Sequence, residues 1–599
     1  VTEVKTTLED NRQAKTVYVY DQQGWASSLG NLTNGNVVET REYDWGVGAL
    51  GPLRRKTTRS YLIASSYNVE NLHLLDRLTV ETVYDGGSAM RAQTTYTYDT
   101  YASPRTLVSA PGVVQHDTGL FGTGYTLRGN RTRIGRWLNS PASTLYTYLR
   151  YDVCGNVREM TDPRGYTSKT YYDGTYQYAY PYRLEDAAGL NTYREYFFDG
   201  TNRRGFGGVK RETDRNNQQT GYTYDVLGRL KRIGYPDEGL VERYYSDVDL
   251  NAVRNGQYVF RARSSVFSPR MKSFTRIETN LERVEVTGFD RLGRVQSQGV
   301  SNGTQQDWVW TKLDGLGRVW RTGNPRTLTL GSSADLPLVG NFPKWTERQY
   351  DGQDRVTRLT TQDGQEVGVV YSGPQKTVMD QASLKRRTNY DALGRMVSVV
   401  EPSLSSNEFD GGAVTTTYSY DALDQLTGVT QGTQTRSFVY DSLGRLISET
   451  QPESGTTTYA YDGNSNLIRK TDARGVSTYY NGYDGLNRPG SISYSDGTPT
   501  VTFSYDSTLV TNGRGRRTGM SDGAGSSTFH YDAMGRTSKI LRSMTGGPSL
   551  TGEFVYNRAG GLKESRWPGI WDGSTPLTIY YGYDKQGRQN HGYWSNNGG

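Results

Sequence analysis

The 599-residue chain has one cysteine, four histidines and only 19 prolines. A lone cysteine, Cys154, excludes an internal disulfide framework and a cysteine zinc site. His73, His116, His530 and His591 are scattered, and no HExxH or similar metal spacing occurs. No run of 18 apolar residues is present, so no membrane-spanning helix is expected. Apolar residues are scarce altogether. Exchanging Tyr for Gly in the 34% hydrophobic fraction gives roughly 38%, below the usual ~45–50% counted that way. Disorder would explain the deficit, but 47 tyrosines and regular alternation argue against it.

What is present is a phrase, Tyr-Asp-x-Leu-Gly-Arg. It reads YDALGR from Tyr390, YDSLGR from Tyr440, YDVLGR from Tyr224 and YDAMGR from Tyr531. Near copies begin at Phe289, Leu313 and Tyr583, and worn ones at Tyr20, Tyr151, Tyr350, Tyr420, Tyr461, Tyr483 and Tyr556. Counting a bare Tyr-Asp at Tyr505, the starts from Tyr420 onward fall 20 to 27 residues apart. A fixed internal period is the mark of a repeat architecture.

Asp-x-x-Gly is turn chemistry. The Asp side chain can accept from the backbone amides that follow it, and Gly supplies a positive φ that closes a type I turn with a bulge. The candidate repeat residues are therefore Tyr224, Asp225, Gly228 and Arg229, then Tyr390, Asp391, Gly394 and Arg395. Tyr440, Asp441, Gly444 and Arg445 follow, and then Tyr531, Asp532, Gly535 and Arg536. Before the turns, "TTTYSYD" puts Thr416, Tyr418 and Tyr420 on one face at period two, as strands require. A second turn signature stands between the first ones, as in "TDPRG" at Thr161–Gly165 and "TDARG" at Thr471–Gly475. Each period thus predicts two strands of roughly six residues and two opposite turns, a β-meander.

Tens of strands cannot lie in one flat sheet, because twisted sheets beyond ~10 strands curl, split or close. A coiled ribbon with too few apolar residues to fill its middle predicts a hollow shell lined by mixed-polar side chains. The net charge of +7 is largely built into the recurring Arg, and no basic stripe points to nucleic acid. Gly-rich strings such as "NGRGRR" (Asn512–Arg517) and "GFGG" (Gly205–Gly208) read as turns rather than phosphate loops. His530 reads as a strand residue, Asp237-Glu238 as a solvated turn pair, and the Tyr ladder as cross-strand packing. Trp308, Trp310, Trp320 and Trp345 fall outside that ladder and are the expected surface contacts. Gly394 is expected to matter more than Arg395, whose place in a solvated ladder predicts about 1 kcal/mol or less for Arg395→Lys. No catalytic constellation, cofactor site or metal site is predicted.

The Tyr-Asp-x-x-Gly-Arg phrases and intervening Thr-Asp-x-x-Gly turns resemble the Rhs/YD-repeat family, which includes bacterial polymorphic toxins, the Tc toxin C component and teneurins. The resemblance is strongest from Tyr146 to Tyr583. It implies an all-β fold, a spiral sheet of hairpins wound into a cocoon around a polypeptide cargo. In those terms residues 1–145 are a divergent β region of the shell and 146–599 the regular array. Many bacterial members carry a downstream Asp-Pro-x-Gly-Leu site at which an Asp-dependent cut frees a toxin. Here Asp162-Pro163 is followed by Arg-Gly-Tyr in a mid-array turn, so no cleavage residues carry over. With no Met at Val1 and a terminal "NNGG", a portion of a longer protein is expected. The implied function is a secreted or cell-surface container for a toxin or other passenger. The rival is an adhesion or glycan-binding scaffold. A cell-surface glycan or a secretion apparatus would then be a further partner; nucleic acid would not.

Overall fold

The computed structural model describes residues 2–8, 10–21, 35–67, 72, 74–114, 116–198, 207–249, 252–254, 257–259, 270–290, 292–301, 305–329, 344–403, 406–568 and 577–595. His73, Arg291, Gly205, Phe206 and the Gln22–Trp25 part of the first motif lie outside them.

Among the described residues the chain is β throughout, broken only by two three-residue 3-10 turns, Ser65–Tyr67 and Gly174–Tyr176. The expected all-β class of hairpin repeats is what is observed. Between residues 414 and 461 the strands run six or seven residues: Val414–Tyr420, Leu426–Gln431, Gln434–Tyr440, Leu446–Gln451 and Gly455–Tyr461. Each pairs antiparallel with its neighbours in sequence. Alternation is visible in the burial. In Val414–Tyr420, Thr416, Tyr418 and Tyr420 are half-covered while Thr415, Thr417 and Ser419 face water. Thr and Tyr suit such a pleated, half-wet surface.

The chain divides into two compact units. The first comprises Val1–Tyr178, Asp186–Gly189 and Val367–Thr498; the second comprises Ala179–Glu185, Leu190–Glu366 and Pro499–Gly599. Each therefore holds an early and a late series of hairpins. Within the first unit, Ala110, Val153 and Tyr178 form a small buried cluster against which Cys154 packs. Within the second, Val286, Trp308 and Trp310 form another, with Trp345 against it.

This corrects the expected surface role of two tryptophans. Trp308 is fully buried and its indole N–H donates to Gln306 at 2.8 Å. Trp310 is almost as deep. Both alternate onto the inner face of strand Gln305–Leu313, where Gly299 on the neighbouring strand leaves room for the Trp308 ring. Trp320, 39% exposed, does face outward. Among the described residues, buried polar and charged side chains outnumber buried apolar ones 25 to 17. The sheet is held less by an oily core than by backbone ladders and satisfied polar groups.

Candidate functional site: the Tyr-Asp-Arg turn

The motif turn is built around one carboxylate. Asp441 is 3% exposed. Its Oδ1 accepts from the amides of Leu443 at 2.9 Å and Arg445 at 3.0 Å. Its backbone carbonyl accepts from the Gly444 amide at 3.0 Å. Gly444 sits at φ +83°, a conformation that Gly adopts at the least steric cost. One extra residue follows, and the register shifts between Val439 and Tyr440. The same shift accompanies Tyr224, Tyr390 and Tyr531. A bulge beside a positive-φ Gly increases the local twist of the hairpin.

Arg and Tyr have partners that the spacing did not announce. Arg445 Nε reaches back to Asp441 Oδ2 at 2.6 Å, while its Nη1 donates forward to the Asp462 carbonyl of the next motif at 2.8 Å. Its guanidinium lies 5.0 Å over the Tyr461 ring. Tyr461 in turn donates its hydroxyl to the Leu446 carbonyl at 2.8 Å. Arg395 repeats the set with Asp391, the Asp421 carbonyl and Tyr420, whose hydroxyl donates to Met396. Arg536 does so with Asp532, the Asn557 carbonyl and Tyr556. Arg229 holds Asp225 at 2.7 Å and stacks 3.9 Å over Tyr245. Arg395, Arg445 and Arg536 thus bolt their motifs to the next, which corrects the expectation of a solvated Arg ladder at these positions. The Arg395 side chain is only 12% exposed because four partners surround it.

At Asp225, burial alone would raise the pKa. The Arg229 amide, its guanidinium and the Leu227 amide outweigh burial and hold the carboxyl below the ordinary 3.8.

A second set of contacts joins hairpins far apart in sequence. In the first unit, Asp44 accepts from the Ala392 amide at 2.9 Å and Arg55 pairs with Asp424 at 2.7 Å. Asn139 exchanges hydrogen bonds with Ser442, both 3.0 Å, and Arg164 donates to the Asp484 carbonyl at 3.1 Å. In the second unit, Asn216 accepts from the Arg514 amide at 2.9 Å and Asp237 pairs with Arg536 at 2.9 Å. Arg558 donates its amide to the Ile277 carbonyl, and Gln586 donates to Asp307, both at 2.9 Å. In each unit the order is the same. The ends of early hairpins opposite the motif meet the motif turns of late hairpins, and both sides advance together along the chain. Nothing in the sequence signalled these seams, since Asp and Asn are ordinary turn residues. Asp237 is the exception among the candidates. Expected as a solvated carboxylate, it is the seam partner of Arg536.

Of the histidines, His116 sits 3.3 Å from the Val153 carbonyl through Nε2, His530 is half-buried in strand Gly525–Tyr531, and His591 is exposed. Among the described residues no group of three or more His, Cys, Asp or Glu is placed to hold a metal ion. No helix among them is long and apolar enough to cross a membrane. Asp162 caps a turn closed by Gly165 at φ +90°.

These features define a class: an all-β hairpin-repeat protein whose turns are cross-bolted by Tyr, Asp and Arg. The RHS Repeat family model matches residues 440–477, and the chain shares the hairpin-repeat architecture of Rhs/YD-repeat proteins. Over 209 residues it is 27% identical to the tRNA3(Ser)-specific nuclease WapA of Bacillus spizizenii, covering 32% of this chain and 8% of that protein. Its fold matches the crystal structure of TcdB2-TccC3-Cdc42 with a TM-score of 0.70 at 11% identity, over 98% of this chain and 37% of that one. TcdB2-TccC3 without its hypervariable C-terminal region gives 0.66 at 13% identity, over 98% and 35%. The Photorhabdus luminescens Tc holotoxin pore gives 0.64 at 13% identity, over 98% and 34%. The chain spans well under half the length of any of these proteins.

Proposed function

We propose that this chain is wall material: the repeat region of an Rhs-type container that encloses a toxin or other polypeptide passenger and works outside the cell or at its surface. The observation that carries this reading is the pair of seams. A ribbon whose late hairpins are stitched to its early ones, in the same order, is a ribbon laid alongside itself, and repeated laying-alongside makes a wall. The mixed-polar strands fit the same role. A wall of half-buried Thr and Tyr offers no large apolar patch to which a passenger would stick.

The fold likeness to TcdB2-TccC3 and the stretch resembling a protein named as a nuclease support a toxin passenger. In this reading the protein acts by exclusion and carries out no reaction. The glycan-binding alternative loses ground, because it leaned on irregular tryptophans and two of them are buried.

Cryo-electron microscopy of the purified protein tests the proposal. A continuous sheet around a cavity wide enough for polypeptide, with added protease sparing the passenger, is the expected result. A filled core, or a string of separate small domains, overturns it.

A further inference from the structure

Four motif turns carry a residue other than Gly at the left-handed position: Asp354, Asp424, Ser465 and Asn487, with φ between 60° and 68°. Gly meets that conformation at the least cost, which leaves the side chains to be accounted for. Two of them, both in the first unit, do the same thing. Asp424 Oδ1 accepts from Arg395 of the preceding motif at 3.0 Å, and its Oδ2 accepts from Arg55 of an early hairpin at 2.7 Å. Asn487 Oδ1 accepts at 2.9 Å from Asn466, which stands at the Arg position of the preceding motif. It also accepts from Arg164 of an early hairpin at 3.4 Å. In each case one side chain ties the neighbouring motif and the seam together.

A seam between two series of similar hairpins has a register to choose. Sliding one series along the other by one hairpin, about 10 Å, sets every early end against another motif turn with the same backbone. The amide contacts do not tell the registers apart, because Ala392 and Ser442 donate in the same way from equivalent positions. The side chain at the Gly position does. Of three consecutive late turns, those at Asp391 and Asp441 have Gly394 and Gly444 there, and the middle one has the Asp424 carboxylate. Arg55 meets it. Both partners are aimed by local contacts: Glu42, opposite Arg55 across the strand pair, holds the guanidinium through Nη2 at 3.0 Å, and Arg395 holds Asp424. Slipped by one hairpin in either direction, Arg55 would face a Gly with no side chain.

We propose that Asp424, with Asn487 as a second point, is a register key that fixes which late turn each early hairpin end meets. A partly exposed ion pair such as Arg55–Asp424 adds little to total stability, but choosing between registers needs only a difference between them. The worn motif copies at Tyr420 and Tyr483 are departures with a use.

The test lets one thiol choose between two registers. In the full chain carrying Cys154→Ala, the substitutions Asn139→Cys, Ala422→Cys and Ser442→Cys are made together. The native register sets position 139 against 442, where Asn139 and Ser442 exchange hydrogen bonds, and a slip of one hairpin sets it against 422. After mild oxidation, peptide mapping reads the ratio of the 139–422 to the 139–442 disulfide. Asp424→Gly should raise that ratio about two- to fivefold, the factor that loss of one exposed ion pair supplies. Arg55→Gln, which leaves the late turn untouched, should match it. Asp424→Asn keeps an acceptor for Arg55 and should hold the ratio near its starting value. Gly is the motif's own residue, so the turn itself survives Asp424→Gly. An unchanged ratio in both Asp424→Gly and Arg55→Gln overturns the proposal, and so does a rise in Asp424→Asn equal to that in Asp424→Gly.

Discussion

The Tyr461 hydroxyl donates to the Leu446 carbonyl at 2.8 Å, closing a loop from one motif to the one before it. Tyr461→Phe keeps the ring under Arg445 and leaves that carbonyl unpaired. The expected loss is about 0.5–1.5 kcal/mol, read as a lower denaturant midpoint. Tyr479→Phe, on a ring already 37% exposed, should leave the midpoint in place. Equal losses would mean that the inter-motif bond contributes nothing.

Gly394 lies at φ +81°, with open space where a Cβ would stand. Any penalty for a side chain there comes from the backbone rather than from a clash. The chain itself carries Asp354, Asp424, Ser465 and Asn487 at the same motif position, with φ between 60° and 68°. Gly394→Asn should therefore be nearly silent in thermal unfolding. Gly394→Val should cost about 1–3 kcal/mol. A Val variant as stable as the Asn variant would refute the turn argument.

Arg395 is the third case, and there the structure reverses the expectation from sequence. Its fork holds Asp391, the Asp421 carbonyl and Asp424 at once. A lysine offers one point charge in place of the fork. Arg395→Lys should cost about 1–3 kcal/mol, comparable to Gly394→Val. Arg474→Lys, on a side chain 78% exposed, is the control and should shift the thermal midpoint little.

Acid should loosen the bolts. The pKa of Asp225 is held below 3.8 in the folded chain, so the stability it contributes is complete above the unfolded value. That contribution falls away as pH drops through the folded one. A midpoint that is level from pH 7 to 5 and declines below about pH 4 is expected. Asp225→Asn should be less stable at pH 7 and show a shallower acid decline. An unchanged acid profile in that variant would separate the bolt from acid sensitivity.

Much of the local fold was legible in the residues. The period-two Thr/Tyr runs announced the strands, and Asp with Gly at fixed spacing announced the turn, because these signals act over a handful of residues. The sequence was silent on where Arg and Tyr reach. Arg445 and Tyr461 are joined by a contact that depends on the next hairpin folding back beside the first. Trp308 is buried rather than exposed as expected, because an irregular aromatic looks alike in sequence whether it faces water or a Gly such as Gly299 across the strand. The seams were invisible for a stronger reason: they pair unrelated turn residues hundreds of positions apart.

That separation governs how the chain can fold. The seam side-chain contacts join residues 279 to 369 positions apart, so a late hairpin has nothing to close on until an early one exists. Hairpins and their bolts can form in the order of synthesis, each from neighbours about twenty residues away. The first seam contact in a unit must close a loop of about 300 residues, an entropic cost of roughly 5 kcal/mol. Later contacts along that seam meet ends already in place and need close only short stretches. The seam should accordingly zip rather than assemble piecemeal, and the ribbon stays open along its length until zipping starts.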